Sequence, residues 1–392
     1  MSASLVLFFA SYWSIRFAVG DALYRENTLD SLRAAVALIP ANAGYRALLA
    51  EHMEGLGINP DSQLITAARL SPLESKYWIR LGFRAEVEGD YGSAEKYLLH
   101  SAQLDRQFDP RWALLNYYFR RSDYSHFWTW ADRAFPMSHG DLTPLFRLMW
   151  DVTDDARIIR KHIPERRETF VQYTSFLLAN GHREAAAGIA PRAAALAKED
   201  DVPVLVGFCD SELQTDPQAS LSVWNILCSR RLLPFAPLDA GKGKLVTNGE
   251  FRTPVTGRGL DWRVPAVEGV SVDADPKGLS IRLDGSEPED CVLLTQTFPV
   301  PSPGRYAVDY EYAAPADGHL EGLQWELRRP DRDAPVASIP LMAGRNSLQQ
   351  SLPFTSDGAE AIRLGLKYHR PVGSTRAEGV ILLRRIETRM IR

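Results

Sequence analysis

The sequence predicts an α + β chain of more than one domain, an α-helical solenoid followed by an antiparallel β-sandwich. Three observations lead there. Trp78 and Trp112 stand 34 residues apart and open similar phrases: Trp78, Leu81, Gly82, Ala85 and Gly89-Asp90-Tyr91, then Trp112, Leu115, Asn116, Phe119 and Ser122-Asp123-Tyr124. Pro234-Phe235-Ala236-Pro237 and Gly241-Lys242-Gly243-Lys244 then interrupt the helical pattern. Beyond them apolar residues alternate with period two, the spacing of a strand with one buried face. These observations divide the 392 residues into an apolar segment (1–24), a helical array (25–233), a linker (234–243) and a sandwich (244–392).

The N-terminal run from Ala3 to Ile15 is apolar, and Arg16 interrupts it before Phe17-Ala18-Val19-Gly20. It reaches spanning length only if Arg16 snorkels at the interface. A membrane anchor is the leading reading; a cleaved signal and a plain first helix of the array are the alternatives. No basic residue precedes Leu5, as a signal peptide would require. Arg16, Arg25 and Arg33 follow the segment, which on charge alone favours a cytoplasmic body.

Helices are expected at Asn27–Ile39, Ala43–Glu54, Asp61–Leu70, Lys76–Glu88, Ser93–Leu104, Pro110–Arg121 and Ser125–Phe135, with prolines between them or in their first turns. Ala94 and Ala102 are the small residues expected to let paired helices approach. After Pro136 the repeat degrades, but the helical period continues through Leu142–Val152, Asp154–His162, Glu165–Ala179, Glu184–Lys198, Val202–Leu213 and Gln218–Leu232. Asn180-Gly181 supplies a glycine stop, and Thr215-Asp216-Pro217 a cap with proline at the first helical position. Strands are expected in Leu279–Leu283, Tyr306–Tyr312, Leu323–Leu327, Ile362–Tyr368 and Gly379–Ile386, separated by Pro, Gly and Asp turns.

The 34-residue register, with Trp, Leu, Gly and small residues at these offsets, resembles the tetratricopeptide repeat. That resemblance implies a solenoid that docks protein partners. Leu245-Val246-Thr247-Asn248-Gly249-Glu250-Phe251 with Asp261-Trp262-Arg263 resembles the opening of galactose-binding-like jelly rolls, which include carbohydrate-binding modules. Gln296 and Phe298 before Pro303-Gly304-Arg305-Tyr306, and Tyr368 and Arg370 before Gly379, are similar to later parts of those modules. The pairing of array and module resembles bacterial proteins of exopolysaccharide and envelope assembly. It implies attachment to the inner membrane of a Gram-negative cell, facing the periplasm, and polysaccharide as a second partner.

Composition narrows the function. Hydrophobic residues make up 45% and charged residues 24%, a globular balance, and the net charge of −4 argues against a nucleic-acid partner. No phosphate-cradling loop, dinucleotide fingerprint, nucleophile elbow or His-Glu-x-x-His motif occurs, so no catalytic residue, cofactor or metal is expected and the chain reads as non-enzymatic. His100 and His126 read as helix-surface or packing residues. Asp151, Asp154 and Asp155 read as a helix cap, and Glu287 with Asp290 as a solvated turn. Cys209, Cys228 and Cys291 read as small core residues, with a Cys209–Cys228 disulfide as the alternative. The residues singled out for a ligand are aromatics of the sandwich, because sugar rings stack on aromatic faces. They are Tyr310, Tyr312, Tyr368, Trp262 and Trp325. Core packing is the competing reading, strongest for Trp262 and Trp325. A protein-binding scaffold is the leading function, and a glycan-binding accessory protein the alternative.

Overall fold

The computed structural model describes residues 2–391 apart from 315–319, 331, 333, 343 and 359. Met1 and Arg392, the ends of the first and last expected segments, lie outside the described residues. The chain divides into two compact units, Met1–Pro164 and Glu165–Arg392. The first is helical: α1 (Ser2–Glu26), α2 (Leu29–Leu38), α3 (Ala43–Gly55), α4 (Asp61–Leu70), α5 (Ser75–Val87), α6 (Tyr91–Leu104), α7 (Phe108–Arg120), α8 (Tyr124–Ala134), α9 (Thr143–Val152) and α10 (Ala156–His162). The most extensive helix contacts run between α5 and α6, α7 and α8, α1 and α2, and α3 and α4.

The repeat in the sequence recurs in the backbone. Gly89 (φ 83°) and Ser122 (φ 54°) are both left-handed, the conformation that ends a helix. The next residue returns its amide to the preceding helix, Asp90 to Ala85 O at 2.9 Å and Asp123 to Tyr118 O at 3.0 Å. Each aspartate then caps the following helix, accepting from Ser93 N at 3.0 Å and His126 N at 3.2 Å. Close packing falls on Gly82, where an added Cβ would lie 2.6 Å from Leu98 Cγ. Trp78 and Trp112 are half-buried, and Ala102, expected at the close approach, is also half-buried while its neighbour Ser101 is fully enclosed. The two repeat tryptophans are therefore only partly enclosed, while Leu81, Gly82, Ala94 and Leu115 are buried.

Helix α1 continues past the expected boundary at residue 24. From Val6 to Val19 most of its side chains are exposed, and its length and composition suffice to cross a membrane. Its last two turns belong to the array. A Cβ on Gly20 would lie 3.1 Å from Ile39, Tyr24 stacks on Tyr45 with ring centroids 5.1 Å apart, and Asp21 accepts the Tyr45 hydroxyl.

The second unit begins with α11 (Arg167–Ala179), α12 (Arg183–Leu196), α13 (Val202–Glu212) and α14 (Pro217–Ser229). Among the described residues nine strands follow: β1 (Val270–Asp275), β2 (Gly278–Asp284), β3 (Asp290–Val300), β4 (Gly304–Ala314), β5 (Leu323–Arg328), β6 (Pro335–Pro340), β7 (Gly344–Ser356), β8 (Glu360–His369) and β9 (Glu378–Ile391). They form two antiparallel sheets, ordered β1-β2-β9-β4-β7 and β3-β8-β5-β6. The core between them holds Trp262, Trp325, Tyr306, Leu294, Ile362 and Ile381, each at most 1% exposed. Strands β1, β3, β6 and β7 did not stand out by alternation in the sequence, and all four lie at sheet edges. Strand β3 is buried along most of its length rather than on alternate residues, and the inward face of β7 includes the polar Gln350 and Ser356.

The Pro/Gly break at 234–243 marks the change from helix to strand, whereas the compact units divide at Pro164. Asn225 of α14 holds the break in place, accepting from Leu238 N at 2.7 Å and donating to Leu238 O at 2.9 Å. Asp210 of α13 accepts from Gly259 N at 2.8 Å and pairs with Arg263 at 2.5 Å. Gly259 (φ 57°) lies against the Trp224 ring, where a Cβ would come within 2.2 Å. A composition break reports a change of local structure and carries no information about such contacts. Cys209 and Cys228 are buried free thiols, so the disulfide alternative does not hold. Burial pushes the Cys228 thiol up to about 12.

Candidate functional site

All five aromatics singled out in the sequence belong to the core. Trp262, Trp325, Tyr312 and Tyr368 are fully buried, and Tyr310 is 3% exposed. Tyr310 and Tyr312 share a strand face, and that face turns inward, where both hydroxyls donate to Gln350 Oε1 at 3.0 and 2.9 Å. The Tyr310 ring packs on Trp325 at 5.6 Å, and Trp325 on Trp262 at 6.4 Å. None offers a ring face to a sugar. The period-two pattern identifies one face of a strand but not which face is outside, and large aromatics go where most area can be buried.

Glu287 also departs from expectation. It is fully buried, and its two carboxylate oxygens accept from Gly285 N and Ala377 N, each at 3.1 Å. It ties the β2–β3 turn to the start of β9. Asp155 caps α10 as expected, accepting from Arg157 N at 2.8 Å. Among the described residues no cluster of His, Cys, Asp or Glu could hold a metal ion.

A groove of about 850 Å³ lies within the second unit, over the outward face of the β3-β8-β5-β6 sheet. Strand alternation and register build its floor. Thr295 of β3, Gly365 of β8 and Glu326 of β5 form one cross-strand row. On one side lie Thr297, Arg363 and Arg328, and on the other Val292, Lys367 and Gln324. Gly365 leaves the middle of the floor without a side chain. A Cβ there would meet only Thr295 Cγ2, at 3.6 Å, and Leu294 O, at 3.9 Å. The walls are Asp210, Leu213 and Gln214 at the end of α13, with Arg263, Val264 and Pro265. No side chain lining it is aromatic.

Charge in the groove is paired with one exception. Glu326, largely buried, accepts from Arg328 Nε at 2.7 Å and Gln324 Nε2 at 2.6 Å. Lys367 Nζ lies 3.0 Å from Asp290, and Arg263 pairs with Asp210. Burial works to raise the Asp290 carboxyl, but hydrogen bonds from Lys367 and His369 outweigh it and hold the group below its ordinary 3.8. Arg363 is exposed and, among the described residues, has no hydrogen bond or ion pair.

Of the groove residues, Arg263 and Asp290 drew attention in the sequence, the first within the phrase Asp261-Trp262-Arg263 and the second in a solvated turn, and neither was read as a binding residue. The one signal of the others was the polar half of each alternating strand, such as Arg363, Gly365 and Lys367 between Ile362, Leu364, Leu366 and Tyr368. That half reads equally as a solvated face.

No protein-family model matches the chain, and no curated protein matches it. Similar solved structures include the C-terminal CBM6 of LamC, a marine laminarinase from Zobellia galactanivorans, at 12% identity and TM-score 0.22, covering 32% of this chain and 92% of that one. The carbohydrate-binding module CBM6cm-2 from Cellvibrio mixtus lichenase 5A is 15% identical, with TM-score 0.22 over 33% of this chain and 92% of that one. The CBM22-1 xylan-binding domain from Paenibacillus barcinonensis Xyn10C is 13% identical, with TM-score 0.26 over 38% of this chain and 97% of that one.

Proposed function

We propose that the second unit binds a saccharide in the groove over Gly365, and that the protein is a non-enzymatic, glycan-binding component of a bacterial envelope. The groove's floor carries the reading. It is long, open at Gly365, and lined by hydroxyls, carboxylates and cations that can hydrogen-bond a hydroxyl-rich ligand. Recognition here works through polar groups rather than ring stacking, since the aromatics are in the core.

The test is glycan-array screening of the full chain beside Gly365→Leu. A Cβ at this position makes only ordinary contacts, and the rest of a leucine side chain would extend from it into the groove. It should fill the floor and abolish binding while the melting temperature stays unchanged. Binding that survives Gly365→Leu would exclude this groove. Release of new reducing ends from a bound polysaccharide would overturn the non-enzymatic reading.

A second reading, protein docking by a tetratricopeptide-like array, is favoured by a groove of about 490 Å³ in the first unit. Ala47, Tyr77, Arg80, Phe83 and Trp112 line it. In this proposal α1 holds the protein at the inner membrane with both units in the periplasm.

A further inference from the structure

We infer that the groove's ligand is an acidic saccharide, and that Arg363 holds its carboxylate. The inference rests on the proposed saccharide site and adds the class of sugar. Its starting point is a conflict in the sheet. Arg363 of β8 stands directly opposite Arg328 of β5, and like charges at opposed positions destabilise an antiparallel pair. The fold relieves half of that conflict. Glu326 takes the Arg328 guanidinium, with Nε and Nη2 each 2.7 Å from Oε2. Its other cross-strand partner is Thr297, the diagonal Glu326 is taken by Arg328, and among the described residues no acid pairs with Arg363.

The remaining charges of the groove are committed to each other, Lys367 with Asp290 and Arg263 with Asp210. Among the described residues, the Arg363 guanidinium beside the bare backbone of Gly365 is left without an ion pair. Positions where a local rule is broken without compensation inside the fold are where function is expected. An anion from outside completes the set. Guanidinium presents two parallel N–H donors that match a carboxylate, and sugar hydroxyls seated over Gly365 reach Thr295 and the Glu326 carboxylate. A uronic acid residue carries both groups on one ring. A neutral sugar leaves Arg363 unanswered.

The experiment uses the full chain and matched probes: oligogalacturonate and alginate oligomers, the same oligomers with their carboxyls reduced to alcohols, and cellotetraose as a neutral control. Titration calorimetry should show at least one uronate oligomer binding, with carboxyl reduction weakening it about tenfold to a hundredfold, the range for a hydrogen bond to a charged partner. Arg363→Gln should remove that preference for the acid while leaving the melting temperature in place, and Arg363→Lys should restore part of it. Added salt should weaken the wild-type interaction. Equal affinity for acidic and reduced forms, or an acid preference untouched by Arg363→Gln, would overturn the inference. Cellotetraose binding abolished by Gly365→Leu but indifferent to Arg363→Gln would overturn it while leaving the saccharide site standing. Binding of dextran sulfate as tight as that of any uronate would overturn the carboxylate assignment. Failure of every acidic and neutral probe on a broad glycan array would remove the saccharide site and this inference together.

Discussion

Gly82 shows how a single residue sets the spacing of two helices. With Leu98 Cγ only 2.6 Å from where its Cβ would be, Gly82→Ala should destabilise the array by about 1–3 kcal/mol, the range for overpacking. Trp78→Ala should cost less than the ~3–5 kcal/mol of a buried tryptophan, because the ring is half-exposed and leans on Tyr97 and His100. Thermal melts of both variants check these magnitudes, and a loss from Trp78→Ala in the full ~3–5 kcal/mol range would show its ring to be packed as a core residue. Asp155 gives a pH prediction. The Arg157 side chain and amide hold its carboxyl down from 3.8 to about 2. A depressed folded value means the contribution is present above the unfolded value and lost as pH falls. Asp155→Asn should therefore melt below wild type at pH 6, with the difference closing between about pH 4 and pH 2. A gap that stays constant over that window would show that the cap is not sensitive to the charge.

Among the elements, the equivalent turns before α6 and α8 share a left-handed residue and an aspartate cap. Asp90→Ala and Asp123→Ala should each lower the urea midpoint, and the two losses should add, since each cap serves its own helix. Urea titration of both single variants and the double variant tests this. Helix α1 has two parts, and truncation would confuse them because Gly20, Asp21 and Tyr24 pack on the array. Phe8→Asp with Phe9→Asp leaves those contacts intact and places charge on exposed apolar positions. The double variant should leave the membrane fraction with its fold retained, and membrane recovery equal to wild type would oppose the anchor.

At the scale of the molecule, the division at Pro164 and the change of secondary structure at Pro234 call for different truncations. A chain beginning at Glu165 should melt in one cooperative transition. A chain beginning at Lys244 loses Asp210 beneath Gly259 and Arg263, Trp224 against Gly259, and Asn225 on Leu238. It should be less stable and lack one wall of the groove. Equal stability of the two fragments would show that the strands fold without α11–α14.

What the sequence alone determined is what local periodicity encodes. The 34-residue recurrence of Gly89-Asp90-Tyr91 as Ser122-Asp123-Tyr124 and the end of the helical spacing before Pro234 are short-range patterns, and the structure repeats the first as two equivalent turns and ends its α-helices at Ser229. Edge strands β1, β3, β6 and β7 were not legible as alternation: β3 is buried along most of its length, and β7 carries the polar Gln350 and Ser356 on its inward face. Tertiary structure alone decided which strand faces turn inward, and so placed Trp262, Trp325, Tyr310, Tyr312 and Tyr368 in the core. It alone set Arg363 opposite Arg328, on two strands whose pairing depends on β5–β8 register. Register between distant segments is fixed by burial across the whole sandwich, and a linear sequence read in short windows does not contain it.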